Sequence, residues 1–138
     1  MRRSDNLADA LGRTTRYGRC PRRERQAIAQ LGTRVDVPAG AVLTRQGARG
    51  GGFAIVLTGG ATVLADGRPR SAVLAGDHFG DVALLDERPS PVTVVAETPM
   101  ALAVVDAAEF GTLLQRSPTV ARAVLADLAG RLRTNSAA

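Results

Sequence analysis

The chain predicts a closed β sandwich or barrel with helices at both ends, and three observations carry that prediction. Short β-branched and apolar runs recur from Val35 to Val105, separated by Gly-rich turns. The hydrophobic period is helical before Gly32 and again after Asp106, and close to two in between. At 138 residues the chain suits one domain, large enough to bury a core without covalent or metal staples.

The elements follow in order. Leu7 to Leu11 is a short amphipathic segment, interrupted at Gly12 and again around Gly18. Pro21 offers a first helical position, and the helix that follows carries Ala27, Ile28 and Leu31 on one face, with Gly32 as its stop. Val35 and Val37 alternate with Arg34 and Asp36. Pro38-Ala39-Gly40 then turns into Ala41-Val42-Leu43. Gly47 and Gly50-Gly51-Gly52 precede the strand Phe53–Leu57, and Gly59-Gly60 turns into Ala61–Ala65. Asp66-Gly67 is a strong hairpin signal leading towards Ser71–Leu74. Val92–Ala96 and Met100–Val105 are two further strands, parted by Thr98-Pro99. Asp106 with Glu109 reads as a capping box that opens a helix carrying Phe110, Leu113 and Leu114. Pro118 opens a last helix with Val120, Val124, Leu125, Leu128 and Leu132 at helical spacing.

Composition excludes several functions. The chain is 45% hydrophobic but 3% aromatic, with Phe53, Phe79, Phe110 and Tyr17 as its only rings of that kind, so a base-stacking surface is not expected. Cys20 is alone, which removes an intramolecular disulfide and a thiolate metal cluster. No apolar run reaches membrane-spanning length and the basic N-terminus lacks the apolar core of a signal peptide; a cytoplasmic protein with no membrane partner is the expectation.

Charge is unevenly placed. Residues 1–25 hold eight arginines against Asp5, Asp9 and Glu24, whereas the remaining arginines and acids balance, so the formal charge of +5 sits in the first 25 residues. Such an arm suits nucleic acid or an acidic partner, but a solvated helical leader over residues 1–20, ahead of a domain at 21–138, is the favoured reading.

The most informative stretch is Gly76-Asp77-His78-Phe79-Gly80-Asp81-Val82-Ala83-Leu84-Leu85, continuing through Asp86-Glu87-Arg88-Pro89-Ser90-Pro91 into Val92-Thr93-Val94. Turn glycines flank an acid, a short apolar helix follows, and a Pro-bounded loop enters a β-branched run. That layout aims free backbone N–H groups at one point, which is how a chain holds a phosphate without a metal. His78 reads as an exposed residue, and with no second His and a distant Cys20 no metal site is expected. A Ser90 nucleophile lacks a base, and Asp81, Asp86 and Glu87 read as a rim acid and helix-end charges, so enzymatic activity is not expected.

This stretch closely resembles the phosphate-binding cassette of cyclic nucleotide-binding domains, Phe-Gly-Glu-(Leu/Ile)-Ala-Leu-…-Pro-Arg-x-Ala-(Thr/Ser)-Val, without a gap. Pro38-Ala39-Gly40, Gln46-Gly47, Phe53 with Ile55-Val56, and Gly59 extend the resemblance over about residues 20–135. It implies an eight-stranded β jelly-roll, or double-stranded β-helix barrel, with an N-terminal helix, a short cassette helix before the seventh strand and two C-terminal helices.

The resemblance also implies site roles. The site residues are Phe79, Gly80, Asp81, Val82, Ala83, Arg88, Ser90 and Pro91. Gly80, Val82 and Ala83 supply backbone N–H groups to the phosphate. Asp81 replaces the ribose-binding Glu, one methylene shorter. Ser90 replaces the phosphate-clamping Arg, and losing that charge-assisted bond lowers affinity by about ten- to several-hundred-fold. Pro91 removes an N–H near the phosphate. Arg88 is the nearest candidate to replace the clamp. Asn135 and Ser136 lie where some relatives place a hydroxyl residue against the purine.

The expected function is a regulatory or sensor module taking cAMP, cGMP or a related small anion, with no cofactor, and signalling through its closing helices. No winged helix-turn-helix, kinase or channel segment is evident, so the output is expected to pass to an unidentified protein effector, from a monomer or weak dimer. The alternatives are a degenerate domain that acts as an interaction module, and nucleic-acid binding through the basic arm.

Overall fold

The computed structural model describes residues 3–49 and 51–136. Among these, five α-helices flank eight strands: α1 (Arg3–Gly12), α2 (Arg22–Leu31), β1 (Gly32–Val37), β2 (Val42–Thr44), β3 (Gly52–Thr58), β4 (Ala61–Ala65), β5 (Arg68–Val73), β6 (His78–Phe79), α3 (Asp81–Asp86), β7 (Thr93–Ala96), β8 (Met100–Asp106), α4 (Ala107–Arg116) and α5 (Pro118–Ser136). The strands form two antiparallel four-stranded sheets, ordered β1-β8-β3-β6 and β2-β7-β4-β5. The expected β jelly-roll with flanking helices is the architecture found.

The sheet holding β3 and β8 is covered on both faces, which explains why β3 is apolar along its length rather than alternating. Phe53, Ile55 and Leu57 face one way, with Ala101, Ala103 and Val105 of β8, into a layer shared with the helices. Ala54 and Val56 face the other way, with Met100 and Leu102, into the barrel interior with Phe79, Val73 and Val94. A strand's period of two thus builds two cores from one segment. The Asp66-Gly67 turn has positive φ at both residues, 54° and 75°, the primed geometry that the hairpin signal predicts.

Two expectations are corrected here. Within the expected leader, residues 7–20 are not a solvated segment: Leu7, Ala8, Ala10, Leu11, Tyr17 and Cys20 are buried in the same helical-layer core as Ile28, Phe53 and Val120. The apolar stripe of α1, Leu7, Ala8, Ala10 and Leu11, packs on the core despite the basic composition of this segment, because burial removes its apolar surface from water. Asp106 is the N-cap of α4 but makes no side-chain cap bond, so the capping box does not form. Asp106 is also the last residue of the β8 ladder, opposite Gly52, and that pairing sets its backbone at φ −63° and ψ 154°.

The last helix is apolar on two sides. Val120 and Val124 are buried and Leu128 packs against the core, whereas Leu125 and Leu132 are exposed. Among the described residues, no helix is long and apolar enough to cross a membrane.

Candidate functional site

The cassette begins at β6, which pairs with β3 through Ala54–Phe79 and Ile55–His78. Neighbouring side chains on a strand face opposite ways. Phe79 enters the barrel interior, so His78 must enter the helical layer. His78 is therefore buried at 7% exposure, with its ring centroid 5.4 Å from that of Phe53, which in turn lies 5.0 Å from Phe110. The expectation of an exposed His is corrected by the strand register.

Gly80 then takes a left-handed backbone, φ 92°, and starts α3. A Cβ there would collide with the carbonyl oxygen of Gly52, so the turn requires glycine twice over. The first-turn N–H groups of α3 receive no side-chain cap. Val82 and Ala83 are half-buried, and Glu87 closes the helix with φ 56°.

Asp81 is 1% exposed and points under α5 instead of into open space. Its Oδ2 lies 3.6 Å from Nε2 of His78, which is also 3.7 Å from Oδ2 of Asp127 on α5. Arg131 holds that same Asp127 oxygen at 2.8 Å. Burial pushes the Asp81 carboxyl up, but the adjacent imidazole outweighs burial, and with the cationic Arg131 leaves it below the ordinary carboxylate value.

Ser90, expected from the sequence at the clamp position, is occupied locally. Its Oγ donates to the Val92 carbonyl at 2.7 Å. Its N–H donates to the Ala48 carbonyl at 2.9 Å, and its carbonyl accepts from the Gly47 N–H at 2.8 Å. A hydroxyl has one proton to give, and here the turn into β7 takes it. Pro91 is exposed beside it.

Arg88 is exposed; its N–H donates to Oδ1 of Asp86 at 3.0 Å. It lines an open recess of about 270 Å³ with Ala83, Glu87, Ala107 and Arg49. Arg49 escaped the sequence reading because it sits in a glycine-rich loop with no pattern to mark it. The structure thus brings Ala83 and Arg88 together but draws Asp81 towards α5. The side chains of Asn135 and Ser136 lie outside the described residues.

Asp127 and Arg131 were also missed. They are an i, i+4 acid–base pair, a spacing that on sequence alone reads as ordinary helix surface.

The family model of the cyclic nucleotide-binding domain matches residues 34–117. Over 92 residues the chain is 37% identical to the cAMP-dependent protein kinase regulatory subunit of Schizosaccharomyces pombe, a match covering 66% of this chain and 22% of that protein. The chain therefore spans about a fifth of that relative. The solved regulatory domain of Toxoplasma gondii protein kinase A with cAMP superposes with a TM-score of 0.75 at 24% identity, covering 94% of this chain and 50% of that one. The regulatory subunit of a cAMP-independent protein kinase A from Trypanosoma cruzi, bound to guanosine, superposes with a TM-score of 0.75 at 21% identity, covering 97% and 50%. At these identities the solved structures show a common fold.

Proposed function

Because this chain belongs to the cyclic nucleotide-binding domain family, we propose that it is a regulatory module that takes a cyclic nucleotide, or a related small anion, weakly and through backbone donors. The observation that carries the reading is the Gly80 turn. Its left-handed backbone is seated against the Gly52 carbonyl and leaves the first-turn N–H groups of α3 uncapped. Backbone donors need no particular side chain, so this part of an anion site survives the side-chain substitutions around it.

The side chains argue for weak binding. Ser90 cannot replace a guanidinium while its proton is held by Val92. A ribose contact from Asp81 requires the carboxylate to leave His78 and turn out from under α5. The output of the module is α5, which touches the cassette through Asp127 and presents Leu125 and Leu132 to a separate protein effector. The reading is non-catalytic, as a soluble cytoplasmic sensor, monomeric or weakly dimeric.

A second reading is favoured by Ser90 and Pro91 together: a domain that takes no cyclic nucleotide and serves as a protein-interaction module. Guanosine in a fold neighbour indicates that this architecture also accepts a ligand without a phosphate. Calorimetric titration of the full chain with cAMP and with cGMP separates the readings, at moderate salt so that the basic N-terminal segment is screened. Saturable one-site binding supports the sensor. No heat from either ligand up to millimolar concentration overturns cyclic nucleotide binding and favours the interaction module.

A further inference from the structure

His78, Asp81 and Asp127 converge from three elements, β6, α3 and α5, and their donor atoms lie within 4.8 Å of one another. We propose that these three residues form a binding site for a divalent transition-metal ion, which pins α5 to the cassette. Asp81 and His78 are close along the chain, but Asp127 arrives from the last helix.

The separations are longer than hydrogen bonds and match the spacing of donors around one metal ion. His78 Nε2 stands 3.6 Å from Asp81 Oδ2 and 3.7 Å from Asp127 Oδ2, beyond hydrogen-bond reach. A tetrahedral ion with metal–donor bonds of about 2.0–2.2 Å places neighbouring donors about 3.3–3.6 Å apart. Two edges of the site are thus nearly set, and the third closes by a turn of the more exposed Asp127. Both ring nitrogens of His78 and Oδ2 of Asp81 are buried without a hydrogen-bond partner. Buried polar atoms are rarely left so, and an ion at the centre satisfies Nε2 and Oδ2 together.

Charge points the same way. Two carboxylates face one guanidinium, that of Arg131, so the acidic and basic side chains around His78 carry one net negative charge between them. An ion engages all three donors at once. One imidazole and two carboxylates suit zinc, cobalt or manganese rather than the all-oxygen shells of magnesium and calcium. The Asp127 side chain is 39% exposed against 4% and 1% for His78 and Asp81, so it marks the entry path and the side from which water completes the shell. Nδ1 of His78 has no acceptor behind it; without that outer support, affinity is lowered about 10- to 100-fold. The site stands whether or not the cassette takes a nucleotide.

The test uses the full, untagged chain, stripped with a chelator and titrated with zinc chloride and, separately, cobalt chloride. One ion per chain is expected, with a raised melting temperature and cobalt absorption bands of a nitrogen–oxygen ligand set. Asp127→Asn, at a partly exposed helix position, and His78→Gln, at the chain's single His, should each weaken zinc binding at least tenfold. Circular dichroism of the metal-free variants checks that they fold. Absence of saturable uptake by the wild-type chain overturns the proposal. So does uptake that Asp127→Asn leaves unchanged, or a cobalt spectrum showing thiolate charge transfer from Cys20.

Discussion

Ser117 donates its hydroxyl proton to Oε1 of Glu24 across 2.8 Å, joining two residues 93 positions apart. The same oxygen accepts the Thr119 N–H at 2.9 Å, and the Thr119 hydroxyl donates to Oε2 at 3.3 Å. Glu24 thus places a carboxylate from α2 at the positive end of α5, where its charge is favoured. Ser117 Oγ in turn accepts the Val120 N–H at 3.2 Å. Burial raises the Glu24 carboxyl, but the bonds from Thr119 and Ser117 outweigh it and hold it below its ordinary value of 4.5.

Glu24→Ala leaves these donors unpaired and is expected to lower the unfolding free energy by about 2–3 kcal/mol, read by urea denaturation. Because the folded value is depressed, the stabilisation is complete above pH 4.5 and is lost as pH falls through the lower folded value. The gap between wild type and Glu24→Gln should therefore hold at about pH 7 and shrink towards about pH 3. A gap that stays constant over that range refutes the assignment.

Tyr17 is the chain's only Tyr, in a chain without Trp, so its ionisation can be read directly from tyrosinate absorbance. Burial pushes its phenol from 10.0 up to about 12. With a raised folded value, its contribution to stability is present below pH 10 and is lost as pH rises through about 12. A folded-state midpoint at 10 contradicts this burial. Its hydroxyl has no hydrogen-bond partner, so Tyr17→Phe should leave stability unchanged or raise it by up to about 1 kcal/mol.

Leu11 is 0% exposed. If α1 belongs to the core, Leu11→Ala should cost about 2–5 kcal/mol. A change within experimental error in thermal or urea unfolding contradicts the packing of α1.

Gly80→Ala meets two penalties and Gly67→Ala one. Both glycines have positive φ, but a Cβ at Gly67 meets nothing within 4 Å, whereas at Gly80 it collides with Gly52. Gly67→Ala is expected to cost about 1–2 kcal/mol, and Gly80→Ala measurably more. Equal costs in the two variants refute the steric part of the argument.

Ser90→Arg tests the clamp. The substitution gives up the bond to Val92, about 1 kcal/mol of stability, and supplies a charge-assisted donor instead. Cyclic nucleotide affinity is expected to rise about ten- to several-hundred-fold. A variant that folds and ignores both cAMP and cGMP shows that the pocket is closed or repurposed.

The barrel and the cassette were legible because their signals are local. Asp66-Gly67 demands positive φ, the run Phe53–Leu57 is buried on both sides of its sheet, and Gly80 precedes an acid and a short apolar helix. Each is written in neighbouring residues, where backbone sterics and side-chain period decide conformation with little help from the rest of the chain. The amphipathic stripe of α1 was legible as well, but its burial was not, since a basic composition does not say which core an apolar stripe will meet.

The polar groups follow a different rule. A side chain's residue type does not say whether His78 meets water or Asp127, or whether Ser90 gives its proton to a ligand or to Val92. The answer depends on what covers it: β6 register turns His78 inwards, and α5, far along the chain, lies over it. Desolvation and pairing are long-range outcomes of packing, so the sequence carries the frame of the site, and the packed helices assign its polar atoms their partners.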